Sequence, residues 1–163
     1  MPKRKKLRRC LLAAILLVMA LIFFFSAMPG DESRQTSGKL TEAVLRLLMP
    51  GYRELPPGER QTYLDRAGLI IRKLAHFSEF ALLGGLLLAY IWLGRSDARL
   101  RPALLPAWGV AALYACSDEL HQMLVADRGP SILDVGIDSL GALAGAGAVM
   151  AVIALWRKRK QHE

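Results

Sequence analysis

Seven ionisable side chains stand where a membrane makes charge costly, at one end of each of three long apolar runs. They are His76 and Glu79, then Asp118, Glu119 and His121, then Asp134 and Asp138. Such placement suggests function by default, because an isolated charge in hydrocarbon costs roughly 3 kcal/mol or more. Residues three or four apart share a helical face, which pairs His76 with Glu79, Asp118 with His121 and Gln122, and Asp134 with Asp138. Glu119 is turned about 100° from Asp118 and faces another neighbour or the headgroups. Two imidazoles and several carboxylates form a ligand set for a divalent metal, zinc or manganese by ligand type. His76, His121, Asp118 and Asp134 are the candidate ligands, and a metal there would activate water or polarise a phosphoryl oxygen. Without a metal, the same groups serve as general acids and bases. Glu79, His76, Asp118, His121 and Asp134 are therefore the candidate catalytic residues, with Glu79 the proton-transfer group because it lies deepest. Arg128, in the ADRGPS turn, suits an anionic group through its planar guanidinium, with Glu119, Gln122 and Asp138 beside it as substrate contacts. No dedicated metal spacing such as HExxH is present. The competing structural reading has these groups pair with each other, and with Arg72 or Lys73, only to lock the helices.

The elements that position them are apolar helices. Of 163 residues, 53% are hydrophobic, above the roughly 45–50% of soluble chains. Residues 10–28 run for 19 positions without a charge, enough to cross a hydrocarbon core about 30 Å thick. The run exceeds a signal-peptide core and no A-x-A site follows it, so it reads as a retained helix. Further spans are expected at about 74–93, 103–125 and 131–156, with an outer loop over 29–73. The net charge of +8 gathers at the ends of apolar runs, which is a topology signal and argues against a nucleic-acid partner. The two cysteines, Cys10 and Cys116, form no disulfide framework or metal-thiolate spacing.

Lysine and arginine crowd the N-terminal tail, the GRSDARLR turn and residues 157–160, which share one side of a four-span chain. That side is expected to be cytoplasmic, although the first loop, with basic and acidic residues intermixed, is discordant. Counting from it, Glu79, Asp118 and Asp138 stand about 21–27 Å up, at one level of the outer leaflet. Within the first loop, Leu40, Val44, Leu47 and Leu48 recur at helical spacing and predict a short amphipathic helix. It ends at Pro50-Gly51, and Pro56-Pro57-Gly58 starts a helix leading into the second span. The segment is a connector or a lid over the polar site. Gly84-Gly85 and Gly141-x-x-x-Gly145 predict close helix contacts.

RKLAHFSEFALLGGLLL (72–88), DELHQMLVADRGPSILDVGIDSLGALAG (118–145) and FFSAMPGDESRQTS (24–37) together resemble the VanZ-like family. The resemblance covers most of the chain after the first helix and rests on the H-F-x-E and D-E-x-H-Q…R…D-x-x-x-[ND]-x-x-G-A elements. It implies a small polytopic bacterial membrane protein, related to a founding member associated with low-level resistance to teicoplanin, which binds lipid-anchored cell-wall precursors. It supplies no reaction, and its Asp-or-Asn alternation at Asp138 argues against a base there. The expected protein is one all-α membrane domain over 1–163, a four-helix bundle in the bacterial cytoplasmic membrane with both termini inside. Its polar pocket, open to the outer leaflet, would bind or process an envelope lipid or lipid-linked precursor. The alternative is a non-catalytic accessory protein acting through its outer loop. An ion or proton carrier is disfavoured because no comparable charges continue through the inner half of any span.

Overall fold

The computed structural model describes residues 2–95 and 99–161, and all regular structure among them is helical. In order come α1 (Pro2–Ser26), α2 (Gly30–Leu48), a 3-10 turn (Tyr52–Glu54), α3 (Pro57–Gly94), α4 (Arg101–Gln122) and α5 (Ile132–Lys160). The all-α expectation holds. Helices α1, α3 and α5 are long and apolar enough to cross a membrane; α4, the fourth segment expected to span, is the shorter 22-residue helix. Proline in a first turn sacrifices no helical hydrogen bond, and Pro57 sits at the start of α3. Ser131 caps α5, its hydroxyl accepting from the Asp134 amide at 3.3 Å.

Helices α3 and α5 form the most closely packed pair. They run parallel, and the predicted glycines let their backbones touch. A Cβ on Gly141 would run into the Phe77 carbonyl, one on Gly145 into that of Ala81, and one on Gly84 into that of Ala142. Against this pair α4 lays Ala103, Ala107, Ala111 and Ala115, spaced four apart and each at most 1% exposed. Tyr114 Oη donates to the Met19 carbonyl at 2.7 Å, and Trp108 Nε1 to that of Ser139 at 3.1 Å, tying α4 to α1 and α5. The core between the helices holds Ile15, Ile22, Phe80, Leu83 and Leu88. Large apolar side chains such as Leu17, Leu113, Val152 and Leu155 instead face outward, as lipid-facing surfaces require.

The three basic segments meet at one end. Arg4 donates to the Arg95 carbonyl at 2.9 Å, Arg8 lies over the Tyr90 ring and Arg157 over Trp92. Residues 96–98, inside the basic turn, lie outside the described residues.

The first loop is far more regular than its pattern suggested. Helix α2 takes 19 residues, starting ten before Leu40, and α3 begins at Pro57, well ahead of the apolar run. Tertiary contacts account for the extra length. Thr41 is fully buried against α3, where Gly68 leaves room for it, with an ideal Cβ on that glycine 3.7 Å from Thr41 Oγ1. The α2 start is clasped to the α4–α5 turn: Gly30 N donates to the Ala126 carbonyl at 3.1 Å, and a Cβ on Gly30 would collide with the Asp127 carbonyl. Asp127 itself holds φ 57°, a left-handed conformation that aspartate tolerates better than most residues. Gly30→Val is expected to release the α2 start at a cost of about 1–3 kcal/mol. Tryptic cleavage within α2 should accelerate at a temperature where the other helices resist, and unchanged cleavage would refute the clasp.

Candidate functional site

At the end opposite the basic cluster, a cavity of about 480 Å³ opens between α2, α3, the α4–α5 turn and α5. Seven of the expected site residues line it: His76, Glu79, Arg128, Asp134 and Asp138, with Glu119 and Gln122 from the last turn of α4. His76 Nδ1 lies 3.8 Å from Glu79 Oε2, too far for a direct hydrogen bond, and has no other partner. Asp138 is 5% exposed, and its Oδ1 is likewise unpartnered.

Each of the remaining acids has at least one oxygen engaged, although the buried Oδ1 of Asp118 has no partner among the described residues. Asp134 pairs with Lys73 across α5 and α3, a pairing that the structural reading of the sequence allowed. Glu119 accepts from the Ser131 amide, so its turn away from Asp118 serves to hold the start of α5. Asp118 faces α1 and lies outside the cavity lining. Its Oδ2 accepts from Ser26 Oγ at 2.8 Å and from Gln122 Nε2 at 3.0 Å, and Gln122 also reaches Ser26 Oγ at 3.1 Å. Ser26, with no exposed surface, is the partner that sequence reasoning passed over; the only trace was a small hydroxyl residue closing a charge-free run.

The four expected metal ligands do not assemble. His121 stacks on Phe23, ring centroids 4.4 Å apart, outside the cavity lining. Asp118 is occupied by Ser26 and Gln122, and Asp134 by the Lys73 ammonium. Among the described residues no three His, Cys, Asp or Glu side chains form a metal-holding group. The apparent set came from helical spacing, which fixes the face a residue shares within its own helix but not which neighbouring helix that face meets. No metal-dependent step follows from this arrangement.

Cations also line the cavity: Arg34 from α2, Arg72 and Lys73 from α3, and Arg128. Arg128 Nη2 donates to the Phe25 carbonyl at 3.2 Å. Burial pushes its guanidinium down from its ordinary value, opposed mainly by nearby Asp118 and reinforced by Arg72. With so high a starting value, it remains a cation. The cavity thus combines guanidinium groups with a half-buried imidazole–carboxyl pair and an unpartnered carboxyl. That combination can bind an anionic group and exchange protons beside it.

Helices of this length and apolarity, packed through small residues around a polar end, define a multi-pass membrane protein. The family model described as VanZ/LLP1 matches residues 11–155, and the chain belongs to that family. No curated protein and no solved structure matches it.

Proposed function

We propose that this protein binds, at the outer leaflet of the bacterial cytoplasmic membrane, an envelope lipid or lipid-linked precursor in the cavity between α2, α3 and α5. The cavity itself carries this reading: about 480 Å³, with apolar walls such as Leu40, Leu69 and Ile137 beside the charged groups. In this reading α4 is the fourth span, since its 22 residues extend about 33 Å alongside α1 and α5. Both termini are cytoplasmic, because the basic ends of α1, α3 and α5 gather opposite the cavity. Helix α2 then lies over the outer surface as the roof of the site. His76 and Glu79 are the proton-transfer pair, and Arg128 receives the anionic head. Occupying a lipid-linked precursor connects this chain to glycopeptide susceptibility, the property for which the family's founding member is known.

Native mass spectrometry of detergent-purified protein tests the reading. The wild type should retain a lipid, and Ala75→Trp, which fills the cavity without removing a charge, should lose most of it. Equal lipid retention by both would sink the proposal. A second, non-catalytic reading draws on Leu47 and Leu48, which are 83% and 73% exposed at the end of α2 and suit a protein partner. In a glycopeptide-tolerance assay the two readings separate cleanly. Loss of tolerance in Glu79→Gln supports the cavity; loss confined to deletion of residues 38–49 supports the partner surface.

A further inference from the structure

Among the described residues, two of the cations facing the cavity make no direct ion pair. Arg72 makes one hydrogen bond, 3.4 Å to the neutral Ser37 hydroxyl, and Arg128 makes one to a backbone carbonyl. Among the described residues neither has a carboxylate within 4.0 Å, whereas Lys73 is paired with Asp134 and Arg34 with Asp31. Both guanidinium groups are half-buried, on different elements and lining the same cavity, and Arg72 disfavours the charge on Arg128 against a larger opposite effect of Asp118. Two like charges held together out of bulk water raise the energy of the empty site, and an anion between them removes that penalty. Arg72 and Arg34 also border a second cavity of about 580 Å³ between α2 and the first half of α3, so α2 carries a third cation to the rim.

We infer that Arg72 and Arg128 form a two-pronged clamp for a diphosphate or phosphate group at the cavity mouth. Arg34, already paired with Asp31, borders the same mouth from α2. This rests on the cavity being the ligand site, and it deepens that reading by naming the ligand chemistry and adding Arg72. Each guanidinium offers a planar fork that matches a phosphate's oxygens, so two forks fit a diphosphate best. The unpartnered Asp138 carboxyl and the His76–Glu79 pair lie in the same cavity. The phosphate is thereby held at the rim while the proton-transfer groups stand deeper. The apolar walls accommodate the first carbons of an attached chain.

The test measures binding to full-length protein in neutral detergent, using an alkyl diphosphate, an alkyl monophosphate, inorganic diphosphate and a neutral alkyl glycoside. The diphosphate amphiphile is expected to bind tightest, and more weakly as salt rises. Arg72→Gln and Arg128→Gln should each weaken it about 10- to 100-fold. Arg72→Lys, which keeps charge but loses the fork, should fall between and controls for folding. Tight binding of inorganic diphosphate alone would assign the clamp to a free anion, overturning the lipid source but keeping the clamp. Equal binding of the glycoside would overturn the clamp while sparing the cavity reading. Failure of every alkyl probe would overturn both.

Discussion

Gly145→Leu is expected to abolish the folded bundle. A Cβ at this position would enter the Ala81 carbonyl, and leucine adds three more carbons behind it. Overpacking a core costs about 1–3 kcal/mol when side chains can give way, and more when the obstacle is backbone. Here α3 and α5 would have to separate along the seam that also holds Gly84 and Gly141. That seam carries the Lys73–Asp134 pair and places Glu79 beside Asp138, so the cavity is lost with it. In detergent the variant should run as aggregate on gel filtration, with little monodisperse protein. Gly147→Leu is the control: a Cβ on Gly147 meets nothing within 4 Å, and the variant should resemble the wild type. If the two variants behave alike, the close α3–α5 contact is refuted.

Asp118→Ala should be the most damaging change among the polar residues. It removes the acceptor for Ser26 and Gln122 at once, leaving the fully buried Ser26 hydroxyl proton without an acceptor while Gln122 keeps only its contact with Ser26. Each buried group left unsatisfied costs about 1–3 kcal/mol. At this chain length about 1 kcal/mol corresponds to 2–4 °C in melting temperature. A fall well beyond 5 °C is the expectation. Combined with Ser26→Ala, the loss should be smaller than the sum of the two single changes, because the pair would be removed together. Thermal unfolding of the two single variants and the double variant measures this directly. Strict additivity would mean that Ser26 and Asp118 do not act as a unit. This network joins α1 to α4, so the acid that looked catalytic in sequence is committed to holding the two helices together. The Asp134 carboxylate has a similar role beside the cavity, through Lys73.

How much of this was legible beforehand divides by range. The apolar runs, the breaks at Pro50-Gly51 and Pro56-Pro57, and the glycine seam are local or periodic features, and each appears where the spacing put it. The basic segments share one end, as their positions along the chain required. Helix α2 was only half legible, since its first turns carry polar residues and are held by burial of Thr41 and the clasp at Gly30. His121 illustrates the opposite case: its spacing from Asp118 is correct for one face, yet that face meets Phe23 of α1. Arg72 carried no signal beyond its charge, because what sets it apart is that, among the described residues, it makes no ion pair.

The sequence by itself determined the helical class, the family and the end of the bundle where the polar residues gather. Those follow from hydrophobic period, charge distribution and motif order, which are properties of the chain read in one dimension. Only the tertiary structure decided that Asp118 and His121 turn toward α1, that Asp134 is neutralised, and that His76, Glu79 and Asp138 share a cavity with the Arg72 and Arg128 guanidinium groups. The physical reason is that helical spacing fixes a side chain's angle about its own axis. Its partner is set by how neighbouring helices are rotated, and here glycine and alanine contacts between α3, α4 and α5 set that rotation.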